Sequence, residues 1–119
     1  MITIYYHSRC THSREAMSLV EQLCARHQLL LEIIEYQKVP LTLEQLRSLQ
    51  LKLGLPASAM IRSNAPEYKK LKLAQSDDAA LLQAIADHPI LLKRPIVEYQ
   101  NRAIIGRPPE LINELFDVP

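Results

Sequence analysis

The opening stretch, up to residue 35, constrains the fold most. Residues 2–6, Ile-Thr-Ile-Tyr-Tyr, are bulky β-formers in a strand pattern. From 11 to 28 the apolar positions Ala16, Leu19, Val20, Leu23, Cys24 and His27 recur at helical spacing, which predicts an amphipathic helix starting just after Cys10. Residues 29–35, Leu-Leu-Leu-Glu-Ile-Ile-Glu, return to a strand pattern. Strand, helix, strand with so little between them predicts a βαβ unit, a parallel pair joined by a right-handed crossover.

The remainder predicts one α/β domain over residues 1–119, a usual domain length. Thr42 with Gln45 forms a capping box and Gly54 a stop, placing a helix at about 42–53. Short helical pieces follow at about 57–62 and 65–72. Another helix is expected from Ser76, as its cap, to about Asp87. Pro95–Tyr99 and Arg102–Ile105 flank Gln100-Asn101, a two-residue hairpin connection. A last helix opens at Pro108-Pro109 and ends near Phe116. The layout is βαβ, a helical insert at about 41–88, then ββα around a four-stranded mixed sheet.

Composition narrows the function classes. Hydrophobic residues are 48% and charged ones 23%, an ordinary globular balance that needs neither disulfides nor a structural metal. Fourteen Lys and Arg against thirteen Asp and Glu leave a net charge of +1, which argues against a dedicated nucleic-acid binder. The Leu-rich segments fall well short of the ~18 apolar residues a membrane span needs. Residues 1–6 lack a basic stretch and read as a strand, not a signal peptide. The expected compartment is therefore a reducing cytoplasm. Only Gly54 and Gly106 occur, so a glycine-rich phosphate loop is ruled out. Any anion site must use side chains and helix ends.

Cys10 stands where the first strand meets the first helix. Free N–H groups and the positive dipole end stabilise a thiolate at such a position. His7, Arg9, His12 and Arg14 surround it in sequence, and Ser13 follows at Cys-x-x-Ser spacing. Without a second cysteine in that loop, an outside thiol would have to resolve any disulfide at Cys10. The plain alternative is a half-buried cysteine in a βα turn. His7, Cys10 and His12 have poor spacing for zinc and no fourth partner, so no metal is expected. Cys24, on the apolar face, reads as a small core residue. His27 and His88 read as structural, and Lys69, Lys70 and Lys72 as a solvated face.

Several blocks together carry a family likeness. They are Tyr6 to Arg14, then Ala59-Met60-Ile61-Arg62, Asn64 to Tyr68, His88 to Val97 with its Arg94-Pro95-Ile96-Val97, and Ile105-Gly106-Arg107-Pro108-Pro109-Glu110. Over nearly its whole length the chain resembles the glutaredoxin-coupled arsenate reductases, in particular a short arsenate-reductase-like branch with a thioredoxin-like fold. The resemblance implies that Cys10 is the nucleophile and that Arg62, Arg94 and Arg107 form an oxyanion cradle. His7, Ser13 and Arg14 would support the thiolate, with Pro95 following a cis peptide bond beside the cysteine loop. It further implies arsenate as substrate, glutathione and glutaredoxin as electron donors, and no tightly bound cofactor. Two other readings stand beside it. One is a glutathione-dependent thiol oxidoreductase acting on another substrate. The other is a redox-regulatory protein that binds RNA polymerase, which Ser13 in place of a second cysteine weakens.

Overall fold

The computed structural model describes residues 1–116. Within them the chain forms two compact units, one made of 1–39 with the segment from Arg94 onward, the other of Pro40–Lys93.

The first unit is built on a four-stranded sheet. Strands β1 (Ile2–Tyr6), β2 (Leu31–Glu35), β3 (Ile96–Tyr99) and β4 (Arg102–Ile105) lie in the order β2-β1-β3-β4. β1 runs parallel to β2, with Ile2 opposite Leu31 and Tyr6 opposite Glu35. It runs antiparallel to β3, with Tyr5 opposite Ile96. Helix α1 (Thr11–His27) is the crossover, and the expected βαβ unit is present. The second strand begins at Leu31, two residues later than expected, because α1 closes with Gln28 in the left-handed region (φ 54°).

One side of the sheet is apolar and α1 covers it. Ala16, Val20 and Leu23 are buried against Ile2, Ile4 and Val97. Complete burial of a side chain such as Val20 stabilises the fold by about 1.5–3 kcal/mol. Leu19 is only half-buried, and His27 is exposed on the edge of that face. His27 nevertheless has a structural part, since its ring stacks on Phe116 at 4.9 Å between centroids. The hairpin between β3 and β4 turns at Gln100 and Asn101, with φ of 50° and 63°. Two positive φ values give the turn the twist that a two-residue connection requires.

The final helical segment differs from expectation. Pro109–Leu115 winds as a 3-10 helix, with Leu111 N–H donating to Pro108 at 3.1 Å and Phe116 N–H to Asn113 at 3.0 Å. Two adjacent prolines remove early N–H donors, and short connectors of this kind readily take the tighter spiral. Ile112 and Leu115 from this segment still complete the core.

The second unit is helical: α2 (Leu43–Leu53), α3 (Ala57–Met60), α4 (Pro66–Lys70) and α5 (Asp78–Asp87). Thr42 and Gln45 close the capping box reciprocally, at 3.1 Å and 2.8 Å, and Gly54 ends α2 at φ 66°. The cap of α5 is Asp77, not Ser76: its carboxylate accepts from Ala80 N–H at 2.9 Å. A carboxylate at that place also meets the positive end of the dipole, which a hydroxyl does only weakly. Both α2 and α3 pack on α5, burying Leu46, Leu49, Met60 and Ile85.

Candidate active site

The cysteine loop is shaped by its own backbone. β1 ends at Tyr6, and Cys10 N–H donates to His7 carbonyl at 3.0 Å, turning the chain back on itself. Cys10 takes an extended conformation as the N-cap of α1, and Arg14 N–H donates to its carbonyl at 3.1 Å. The thiol thus stands at the helix N-terminus, half-buried. Ser13, fully buried on the first turn, accepts from His7 N–H through its hydroxyl at 3.3 Å. Arg14 supports the loop from outside, donating to Ser8 carbonyl at 3.3 Å and to Thr11 hydroxyl at 3.4 Å.

Partial burial by itself would raise the Cys10 pKa. The Ser13 backbone N–H, the Arg94 guanidinium, the His12 backbone N–H and the Ser13 hydroxyl outweigh that penalty, and the thiol pKa falls below its ordinary value. No capping hydrogen bond closes tightly on the sulfur. The stabilisation is a field of several donors directed at one atom, the arrangement that favours a thiolate.

Arg94 comes from the far end of the sequence and reaches Cys10 because β3 lies beside β1. Its peptide bond to Pro95 is cis, as the likeness implied, and Arg107–Pro108 is cis as well, which was not foreseen. Pro95 is buried, and its carbonyl accepts from Gly106 N–H at 2.9 Å. Nε and Nη1 of Arg94 are buried, and neither has a hydrogen-bond partner. A buried charged donor without an acceptor is costly, about 1–3 kcal/mol or more. The free donors of Arg94 leave it able to take a hydrogen-bond acceptor beside the Cys10 thiol.

The remaining expected residues fall as follows. Arg107 is exposed on the loop after β4. Arg62 belongs to the helical unit, where its Nη1 donates to Ile90 carbonyl at 3.0 Å and its N–H to Leu91 carbonyl at 2.7 Å. Cys24 is buried, its sulfur 4.0 Å from Leu30 carbonyl, and desolvation raises its pKa. Among the described residues no three His, Cys, Asp or Glu side chains gather into a metal-binding group, and no helix is long and apolar enough to cross a membrane. Glu35, at the end of β2, lay outside the sequence reading: its carboxyl pKa is lowered, first by Lys38 and then by Ser8 of the loop. The parallel register that sets Tyr6 beside Glu35 was the available signal.

Sheet order, the crossover helix and a cysteine at its N-terminus define a thioredoxin-like domain with a cysteine–arginine pair at one end of the sheet. The ArsC family profile matches residues 5–115. The chain is 42% identical over 114 residues to a protein of Neisseria meningitidis serogroup A named arsenate reductase, covering 93% of this chain and 94% of that one. It is 37% identical to the uncharacterized protein YfgD of Escherichia coli, covering 96% and 95%. The solved structure of an arsenate reductase from Vibrio cholerae superposes with a TM-score of 0.88 at 37% identity, covering 96% of each chain. The chain belongs to the ArsC family.

Proposed function

We propose that the chain reduces arsenate to arsenite through Cys10, with glutathione and glutaredoxin as electron donors. The observation that carries this reading is the Arg94 guanidinium beside Cys10, with Nε and Nη1 buried and lacking acceptors. Arsenate is a tetrahedral oxyanion with no apolar handle, and a guanidinium fork matches its edge with paired donors. The names of the relatives point the same way. Arg107 and Arg62 are proposed as further anion ligands on the motif likeness, and His7, Ser13, Arg14 and Pro95 as support.

The chemistry runs in two displacements. Cys10 thiolate attacks As(V), one As–O bond breaks, and its oxygen leaves as water after protonation. A glutathione thiolate then attacks the Cys10 sulfur, the S–As bond breaks, and its electron pair stays on arsenic. Arsenite departs as As(III), and Cys10 is left in a disulfide with glutathione. Glutaredoxin exchanges with that disulfide and returns the Cys10 thiolate. The scheme needs no metal or resident organic cofactor, and residues 1–119 act in it as one cytoplasmic catalytic domain.

The test is a steady-state assay with arsenate, glutathione and glutaredoxin. Turnover that disappears in Cys10→Ser and on omission of glutathione supports the proposal. Turnover that survives Cys10→Ser overturns it.

A further inference from the structure

The first unit carries a recess besides the surroundings of Cys10. An open groove of about 380 Å³ runs between α1 and the 3-10 segment Pro109–Leu115, both parts of that unit. α1 lines it with Glu15 and Gln22, the segment lines it with Glu110 and Asn113, and Leu19 and Pro109 add apolar surface. Among the described residues, the side chains of Glu15, Gln22, Glu110 and Asn113 have no hydrogen-bond or ion-pair partner. The groove adjoins the nucleophile through α1 itself. Thr11 follows Cys10 directly and sits one turn before Glu15 on the same face of the helix. Glu15 therefore lies about 7 Å along the helix axis from Cys10. Two carboxylates and no Lys or Arg make this lining unfit for an oxyanion, so the groove is separate from the place where Arg94 meets Cys10.

We propose that this groove seats the reducing thiol, with the α-ammonium of the γ-glutamyl residue of glutathione between Glu15 and Glu110. The proposal rests on the reading of Cys10 as a residue that exchanges with glutathione, and it names where that glutathione is held. The lining matches the ligand group by group. A primary ammonium is a compact charge with three donors, and the two carboxylates only accept. The Gln22 and Asn113 amides each carry donors and an acceptor, which suit the carboxylate beside the ammonium and the peptide groups of the tripeptide. Leu19 and Pro109 offer apolar surface to the methylene carbons of the γ-glutamyl arm. That arm is longer than an ordinary residue and bridges a span of about 7 Å. Charge thus divides the two ligands: the guanidinium takes the oxyanion, and the carboxylate groove takes the ammonium.

The experiment is the rate at which Cys10 is glutathionylated by glutathione disulfide, followed by mass spectrometry of the intact protein. Cys10 thiolate attacks one sulfur, the S–S bond breaks, and the other half leaves as glutathione thiolate. The product is the same mixed disulfide that the proposed turnover forms. Wild type is compared with the double variant Glu15→Gln, Glu110→Gln, with thermal melts alongside; both sites are exposed, so the fold is kept. Hydroxyethyl disulfide, which is neutral, serves as the second oxidant and corrects for any change in the thiol itself. Glutathione disulfide is a net anion, so removing two carboxylates speeds its approach by long-range charge alone. A seated ammonium predicts the opposite sign. We expect the ratio of the two rates to fall about fivefold in the double variant, the size that two exposed ion pairs supply. A ratio that stays or rises overturns the proposal, and so does wild type that glutathione disulfide does not modify. The readout needs no arsenate. Absence of arsenate turnover would sink the proposed function and leave this ratio standing, and an unmoved ratio would sink the groove assignment whatever the turnover.

Discussion

The backbone N–H of His7 donates to the buried hydroxyl of Ser13 at 3.3 Å, while that same hydroxyl helps lower the pKa of Cys10. One small side chain therefore links the entry of the loop to the sulfur. Ser13→Ala removes both contacts. We expect a stability loss of about 1 kcal/mol in urea unfolding together with a higher midpoint for Cys10 alkylation. A variant matching wild type in both measurements would detach Ser13 from the thiol.

The two cysteines should react differently. Cys10 is held below its ordinary pKa by Ser13, Arg94 and His12 despite the cost of burial, and Cys24 is pushed up by desolvation. Limiting iodoacetamide on folded protein should label Cys10 first, and more slowly as pH falls through its pKa. Arsenate or sulfate seated on Arg94 should slow that labelling by offsetting the positive charge. Mass spectrometry that finds Cys24 modified first contradicts the assignment.

Arg94→Lys should keep the fold and lose anion affinity. A lysine offers one point charge where the guanidinium offers a planar fork, and the buried Nε and Nη1 donors disappear. We expect roughly tenfold weaker binding of arsenate or sulfate, equivalent to about 1.4 kcal/mol, by calorimetric titration. Equal affinity would remove Arg94 from the anion site.

The lowered Cys10 pKa is also a stability statement. An acid whose folded pKa lies below its unfolded one stabilises the fold fully above the unfolded value, about 8.5 for a thiol. That contribution is lost as pH falls through the folded pKa. The stability of wild type relative to Cys10→Ser should therefore rise with pH between those two values and then level off. Urea unfolding at a series of pH values measures the difference, and a flat line across the window contradicts the shift.

Gly106→Ala should be destabilising through crowding. A Cβ there would lie 3.0 and 3.1 Å from Cδ1 and Cγ1 of Ile112 and 3.4 Å from Cγ of Pro95. Overpacking of this kind costs about 1–3 kcal/mol. Ile112→Val removes the Cδ1 atom, so the double variant should lose less than the sum of the two single losses, read from urea midpoints. Additive losses would place the strain elsewhere.

Much of the architecture was legible because its signals are local. The Thr42–Gln45 capping box, the Gly54 stop and the Gln100-Asn101 turn each depend on residues within one turn of chain. The buried face of α1 follows from 3.6-residue periodicity, and Cys10 at the strand–helix junction follows from the elements on either side. Even local chemistry misled where two caps competed: Asp77 took the place expected of Ser76, since both are good N-cap residues and only the backbone decides which is first.

The sequence by itself determined the βαβ start, the helical stretch, the ββ hairpin and a cysteine placed to become a thiolate. The tertiary structure decided what that cysteine meets. Arg94 reaches Cys10 because β3 lies antiparallel beside β1, with β2 parallel on β1's other side. Neither pairing has a short-range code. Strand order is selected by burial of the whole apolar face under α1, and the charged partners of the thiol are carried into place with it.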